Sequence, residues 1–202
     1  MQGMRNDKMV FDINEFLQAI SNVLDVIETD IFGVPTNHSK RLACVTNRLA
    51  HALNFSTDMK YDLAALSILH DNGASLKILH DNLRGDAKAK QNIIESSKEH
   101  CRIGESNIIS FPFLTSPKNV ILYHHEKLNG MGYPRGLGAD QLDFNSRLLA
   151  CLDIYQALGE IRPYREAMTH DESIKIMRRM VEDGLIDPEI TEDIAQQLKT
   201  NN

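Results

Sequence analysis

Apolar residues recur at intervals of three and four along most of the chain, and the alternation typical of strands is almost absent. The first such stretch opens with Asp12 and Glu15, which resemble a capping box, and its apolar positions continue through residues 13–27. Further stretches begin near Asn37 and after Ser56, a residue type that caps helices. Because each amphipathic helix must bury its apolar stripe against another element, the pattern predicts an all-α fold.

The second half of the chain carries clear signals for where helices begin and end. Ser116 and Pro117 are typical of an N-cap and a first helical residue, and we expect that helix to end before Asn129. An apolar helix is predicted over residues 145–158. Two amphipathic helices close the chain, and residues 184–188 separate them with helix-stop and helix-start signals.

The length of 202 residues fits one domain. We assign residues 1–9 to an N-terminal tail and residues 10–202 to a single helical domain, because no linker, repeat or low-complexity tract divides them. Within this domain, residues 75–90 are rich in charge and turn-forming residues, and they are expected to form a surface excursion. A helix over residues 89–101 is predicted to follow it.

Composition and charge exclude several classes of protein. The net charge of −6 argues against a broad basic surface for DNA or RNA. No apolar run is long enough to cross a membrane, and the N-terminus lacks the apolar core of a signal peptide. The cysteines Cys44, Cys101 and Cys151 lack the paired spacing of a disulfide framework or a thiolate metal site, so we expect small core residues. A cytoplasmic protein without a nucleic-acid or membrane partner is therefore predicted.

Histidine and aspartate residues occur inside or beside the apolar helices, as the pairs His70-Asp71 and His124-His125 and as Asp153. A buried carboxylate is costly unless it is paired with a positive charge or bound to a metal. Imidazole and carboxylate together suit iron, manganese or zinc. Adjacent side chains diverge by about 100° around a helix axis, so both reach one site only where it is broad or dinuclear.

Each of these features also has a purely structural interpretation. The His-Asp pair could form a buried hydrogen bond, and the double histidine could lie at a solvent-exposed helix end. Asp153 could cap a neighbouring helix or pair with an arginine, Arg147 or Arg162. The glycine-rich loop over residues 130–138 is typical of turns. From the residues alone, a metal site and a structural role both stay open.

The order of these features closely resembles the HD-GYP family, helical metallophosphodiesterases of the HD superfamily. The matching segments are, in chain order, His38-Ser39-Lys40-Arg41, His70-Asp71, His100 with Ile103-Gly104, His124-His125-Glu126, residues 129–134, Asp153, residues 162–167 and Asp187-Pro188-Glu189. The resemblance covers residues 10–195, and the double histidine followed by the GxGYP loop is its most specific part. It implies a single helical domain with a metal site in the core of the helix bundle.

The resemblance implies a role for each matching residue. Two divalent ions, iron or manganese, would be held by the residues at the family's ligand positions: His38, His70, Asp71, His100, His124, His125 and Asp153. Asp71 would bridge the two ions and act as the catalytic residue. Tyr133 would border the nucleotide cleft, and Arg162 and Arg165 would contact the substrate phosphates. The remaining histidines are expected to lie outside the site: His51, His80 and His170.

The activity implied by the resemblance is two-metal hydrolysis of a cyclic dinucleotide. Cyclic di-GMP is the first candidate substrate, opened to the linear dinucleotide, and a second cut to GMP stays open. Because the opening helix uses the beginning of the chain, we expect no preceding sensor domain. Regulation is then expected through metal, redox state, substrate supply or a signalling partner such as a diguanylate cyclase.

The sequence departs from the family at positions that affect catalysis. Ala74 stands where the family carries the lysine of its His-Asp-x-Gly-Lys motif, and Gln156 replaces an acid three residues after the late aspartate. Asn129 replaces the aspartate before the loop, and Val34 replaces a glutamate of the three-metal members, which favours two ions. Loss of a proton donor and a phosphate contact would slow turnover. Two alternatives therefore stay open: a metal-loaded module that binds cyclic di-GMP or a signalling partner, and an HD phosphohydrolase that acts on another nucleotide.

Overall fold

Residues 12–32, 37–75, 89–161 and 165–199 are described by a computed structural model. Helices occur there in the order α1 (Ile13–Phe32), α2 (His38–Ala52), α3 (Thr57–Leu69), α4 (Ala89–Asn107), α5 (Val120–Tyr123), α6 (Phe144–Leu158), α7 (His170–Glu182) and α8 (Pro188–Gln197). These ranges contain no strand, only isolated bridge residues, so the predicted all-α class is confirmed. The predicted N-terminal tail and residues 76–88 of the predicted excursion lie outside the described residues.

Side-chain caps fix where several helices begin. Asp12 Oδ1 accepts a hydrogen bond from the backbone N–H of Asn14 at 2.8 Å, at the entrance to α1. The Ser56 hydroxyl accepts from the backbone N–H of Met59 at 3.2 Å, which confirms its predicted capping role. Asp187 caps α8 in the same way, with proline as the first helical residue. Local sequence signals therefore set these helix starts.

The apolar stripes of α2, α3 and α6 pack into one core, in which α2 contacts both other helices. Buried leucines supply most of it: Leu42, Leu49, Leu63, Leu66, Leu148, Leu149 and Leu152. α7 and α8 close the core with Ile174, Met177, Ile190 and Ile194. None of the helices in the described ranges is both long and apolar enough to cross a membrane. The close packing of α2, α3 and α6 fixes the relative positions of the polar residues at their ends and inner faces.

The helix predicted to begin at Ser116 is much shorter than expected. Ser116 and Asn119 have φ angles of +53° and +58°, a left-handed conformation that interrupts a helix, so α5 begins only after Asn119. Glu105 in α4 caps it from outside, because its carboxylate accepts from the backbone N–H groups of Asn119 (2.8 Å) and Leu122 (3.2 Å). The prediction was wrong because this cap comes from a distant part of the chain and leaves no local signal.

Asp62 in α3 binds the segment before α5 through hydrogen bonds. It is buried and accepts from the backbone N–H groups of Leu114 (2.8 Å) and Thr115 (2.6 Å) and from the Thr115 hydroxyl. Asp62→Ala would leave these donors without their acceptor and should lower the free energy of unfolding by about 2–4 kcal/mol. Urea denaturation measures this loss. Asp58→Ala, an exposed change in the same helix, should cost less than about 1 kcal/mol. Equal losses in the two variants would contradict this role.

Candidate metal centre

The predicted metal ligands converge on one region between the helices. They come from the first residue of α2, the end of α3, α4, the residues after α5, and α6: His38, His70 with Asp71, His100, His124 with His125, and Asp153. Four of the five histidines are buried, and His125 is partly buried. Residues that lie far apart in the chain therefore share one site.

The first group of ligand atoms belongs to His38, His70 and Asp153, and these atoms lie within 4.8 Å of one another. His38 Nε2 is 3.0 Å from Asp153 Oδ1 and 3.2 Å from His70 Nε2. On the other side of the rings, His38 Nδ1 is 2.7 Å from Glu160 Oε1, and His70 Nδ1 is 2.9 Å from the Ser67 carbonyl oxygen. Carbonyl and carboxylate oxygens accept, so each Nδ1 donates and each Nε2 of a singly protonated ring carries a lone pair.

The second group belongs to His100, Cys101, His124 and His125, whose ligand atoms also lie within 4.8 Å of one another. His124 Nδ1 donates to the carbonyl oxygen of Ile121, so its Nε2 lone pair faces the interior. This Nε2 is buried and has no hydrogen-bond partner among the described residues. Buried polar atoms normally have a partner, so an unpartnered ring nitrogen here is expected where a cation binds.

The Asp71 carboxylate lies between the two groups. Its Oδ2 is 3.2 Å from His70 Nε2 of the first group. Its Oδ1 is 3.5 Å from His100 Nε2 and 3.6 Å from His124 Nε2 of the second group. One oxygen thus faces each group, and the side chain is 27% exposed, so this position is accessible from solvent.

Acceptor atoms face acceptor atoms in both groups when each ring carries one proton. The lone pairs of His38 and His70 point at Asp153 and at each other, and that of His124 points toward Asp71. Such an arrangement is repulsive unless a second ring proton or a metal ion lies among the lone pairs. Imidazole and carboxylate are the donor set of iron, manganese and zinc sites. The residues present therefore fit divalent metal ions.

Electrostatics hold both carboxylates of the site in their charged form. Burial opposes the charge of Asp71, but the positive potential of His70 outweighs it and holds the pKa of Asp71 well below its usual range. Burial also opposes the charge of Asp153, and a hydrogen bond from His38 together with its charge lowers the pKa of Asp153. Two fixed negative charges therefore face the histidines.

The histidines of the two groups differ in their affinity for protons. Burial lowers the pKa of His38, but hydrogen bonds and charges of Asp153 and Glu160 outweigh it and raise that pKa well above its usual value. In the second group, burial lowers the pKa of His100 to about 4, and burial with the neighbouring imidazole also lowers the pKa of His125. These two rings are neutral at pH 7, the form that binds metal ions.

Glu126, which directly follows the double histidine, fixes the glycine-rich loop beside the site. It is buried, and its carboxylate accepts from the backbone N–H groups of Arg135 (2.7 Å) and Leu137 (2.9 Å). Gly132 packs against the same residue, because a Cβ at this position would lie 2.4 Å from Glu126 Cα. The loop and the ligand pair are therefore one rigid unit.

The predicted substrate-binding residues occupy different surroundings. The Tyr133 ring lies beside the second group, with its centroid 4.9 Å from that of His125. The Arg165 guanidinium donates to two carbonyl oxygens at the end of α6, at 3.0 and 2.7 Å. Arg162 lies outside the described residues. Phosphate contact by either arginine stays a prediction.

Glu160 is a candidate site residue that no sequence motif indicated. It is buried, and its Oε1 is 2.7 Å from His38 Nδ1. The same oxygen accepts a hydrogen bond from Gln156 Nε2 at 3.0 Å. Gln156 stands where the family carries an acid. Its amide orients the Glu160 carboxylate, which in turn orients the candidate ligand His38. Glu160 lies seven residues after Asp153 and two residues beyond the end of α6, where no motif in the sequence marks it.

The other histidines serve no ligand group among the described residues. His51 is exposed on α2. His170 packs at the start of α7, where Nδ1 is 2.9 Å from the Tyr155 hydroxyl and Nε2 is 3.1 Å from the Ala195 carbonyl oxygen. His80 lies outside the described residues. These positions agree with the structural roles expected for His51 and His170.

Replacing Glu160 with alanine should weaken metal binding, because His38 loses the acceptor that fixes its ring. Removing such a partner from a ligating histidine lowers metal affinity by about 10- to 100-fold. Competition between the protein and a chelating dye for manganese(II) measures this change. Glu182→Ala, an exposed change at the end of α7, should leave the affinity unchanged. Unaltered affinity in the Glu160 variant would show that Glu160 does not position the ligand.

The sequence is similar to those of known proteins. A family model described as an HD domain matches residues 29–190. The chain is 29% identical over 191 residues to 3'3'-cGAMP-specific phosphodiesterase 1 of Vibrio cholerae, covering 93% of this chain and 42% of that protein. It is 38% identical over 116 residues to a cyclic di-GMP phosphodiesterase of the same organism, covering 54% of this chain and 23% of that protein. The chain thus spans less than half the length of these relatives.

The architecture also matches a solved structure. A crystal structure of a cyclic GMP-AMP-specific phosphodiesterase from Vibrio cholerae has a TM-score of 0.66 at 17% identity, covering 92% of this chain and 48% of that one. At this identity the likeness concerns the fold alone. Because the family match extends over most of the chain, the protein belongs to the HD domain family, and its predicted HD-GYP type is confirmed.

Proposed function

We propose that this protein is a metal-dependent phosphodiesterase that opens a cyclic dinucleotide, with cyclic di-GMP as the first candidate substrate. The placement of Asp71 carries the proposal, because its two carboxylate oxygens face two separate groups of ligand atoms. A carboxylate shared by two divalent ions, iron or manganese, suits phosphodiester hydrolysis. Relatives named for cyclic di-GMP and for 3'3'-cGAMP support the substrate class, and the second name makes 3'3'-cGAMP the other candidate.

The proposed ligand sets follow the two groups. One ion would be held by His38, His70 and Asp153. The other ion would be held by His100, His124 and His125, and Asp71 would contribute to both sites. When bound, such ions lower the pKa of water and offset negative charge on a phosphate. The chain already holds three of these rings by hydrogen bonds to Glu160 and to backbone carbonyls. Preorganised ligands lower the cost of rearrangement when ion and substrate bind.

Access to the site supports a substrate that presents phosphate groups. The carboxylates of Asp71 and Asp153 are 27% and 14% exposed, whereas most of the ring ligands are buried. The Tyr133 ring lies beside His125, and we propose that it borders the nucleotide. The chain carries a net charge of −6, so bound ions and the proposed contacts Arg162 and Arg165 must attract the phosphates locally.

A second candidate function is a metal-loaded module that binds a cyclic dinucleotide or a signalling partner, such as a diguanylate cyclase, with little turnover. Ala74 favours this alternative, because it removes the cation that the HD-GYP motif places beside the metals. The converging acceptors favour the enzyme, because metal activation of water is the larger catalytic effect. An HD phosphohydrolase with another nucleotide substrate would use the same centre.

Replacing Asp71 with alanine should abolish hydrolysis and lower the metal content, because it removes the carboxylate that both ligand groups face. The protein is purified without air, metal per chain is measured, and cyclic di-GMP and 3'3'-cGAMP are followed by chromatography with iron(II) or manganese(II). Asp140→Ala, an exposed change, should retain metal and activity.

Four outcomes separate the candidate functions. Product that a chelator suppresses supports the phosphodiesterase, and binding without product supports the module. Full activity in the Asp71→Ala variant contradicts the metal centre. Neither binding nor product with both dinucleotides leaves the phosphohydrolase for another nucleotide as the remaining candidate.

Restoring the missing lysine tests whether it limits turnover. Ala74→Lys should raise kcat on the order of 10-fold or more, because a general acid or phosphate contact would return beside the metals. Ala74→Gln places a long side chain at the same position without a positive charge and should give no gain. Equal kcat in the lysine variant and the native chain would show that the lysine position does not limit catalysis here.

A further inference from the structure

Cys101 lies among the histidines of the second group, a position that the cysteine spacing did not indicate. Its Sγ is 3.5 Å from His100 Nε2 and within 4.8 Å of the ligand atoms of His124 and His125. The residue is fully buried, with 0% of its surface exposed. The sulfur therefore faces the candidate metal position and not bulk solvent.

We propose that Cys101 is an additional metal ligand in the second group and binds as a thiolate. The inference rests on the proposed metal centre and adds a ligand to it. An independent observation points to an ion at this place, since His124 Nε2 is buried, lacks a hydrogen-bond partner among the described residues and belongs to the same group. Binding forms a sulfur–metal bond and releases the thiol proton to solvent, with no oxidant or reductant required.

The other cysteines show that burial alone does not place a thiol at the site. Cys151 is equally buried in α6, yet it belongs to neither ligand group. Cys44 is exposed on α2, so its predicted place in the core was wrong. Cys101 differs because it directly follows His100 in α4. Side chains adjacent on a helix diverge, so two of them share a site only when it lies between their directions. The double histidine likewise contributes two adjacent residues to this group.

A thiolate would give the two metal positions different preferences. Soft ligands favour zinc and iron(II) over manganese(II) and magnesium, which prefer oxygen. The first group offers only nitrogen and oxygen atoms, from His38, His70 and Asp153. The position beside Cys101 is therefore expected to select the softer ion of a mixed pair.

Cobalt(II) binding tests this inference without reference to activity. A cobalt–thiolate bond gives an intense near-ultraviolet charge-transfer band, whereas imidazole and carboxylate ligands give only weak visible bands. Cobalt(II) is titrated into the metal-free native protein and into Cys101→Ala, Cys101→Ser and Cys151→Ala variants. We expect the intense band in the native protein and in Cys151→Ala, the matched control. Both Cys101 variants should lose that band and keep the visible bands.

Zinc affinity supplies a second measurement that does not depend on the spectrum. Cys101→Ala should bind zinc(II) more weakly on the order of 10-fold or more, and manganese(II) with little change. Circular dichroism of each variant checks the fold, and the serine variant serves if the alanine variant does not fold.

The spectra also separate this inference from the proposed function. Visible bands without the intense band in the native protein would overturn the Cys101 ligand and leave the metal centre intact. Loss of the intense band in Cys151→Ala, with retention in Cys101→Ala, would also overturn it. A native protein that binds no cobalt at all would overturn the metal centre and the inference together.

Discussion

Hydrogen-bond acceptors meet acceptors at the centre of this protein when each ring carries one proton, and a bound divalent ion would stabilise that arrangement. Three lone-pair atoms from His38, His70 and Asp153 converge in one group, and the buried Nε2 of His124 faces Asp71 in the other. These ligands come from α2, α3, α6 and the segment after α5, so an ion that binds them also ties these elements together. Metal binding to such a site contributes to folding as well as to chemistry.

A hydrogen bond between a histidine ring and a backbone carbonyl orients a candidate ligand at the end of α3 and again at the end of α5. The last carbonyl groups of a helix have no partner within it. The carbonyls of Ser67 and Ile121 each accept from the Nδ1 of the histidine three residues later, His70 and His124. Each ring is thereby turned with Nε2 inward, and the next residue in the chain points into the same region. This geometry explains why the ligands occur as adjacent pairs, first with Asp71 and then with a second histidine.

Much of the fold follows from signals that neighbouring residues carry. Apolar spacing and the caps at Ser56 and Asp187 were sufficient to place their helices, because both act within one or two turns. The start of α5 could not be predicted, since Glu105 caps it from another helix. Glu160 and Cys101 were missed for a related reason. Neither has a motif of its own, and each gains a role only when packing brings it beside a ligand histidine.

Choice between cyclic dinucleotides cannot arise at the metal centre itself. Cyclic di-GMP and 3'3'-cGAMP carry the same phosphate chemistry and differ in one base, so the proposed ions and arginines would contact the same phosphate groups in both. The loop that bears Tyr133 is fixed to the ligand pair by Glu126 and Gly132, which limits how far it can adapt. Discrimination therefore has to come from side chains that reach the edges of the bases. A site that hydrogen-bonds the guanine edge would leave polar groups unpaired against adenine, which is the strongest form of such selection.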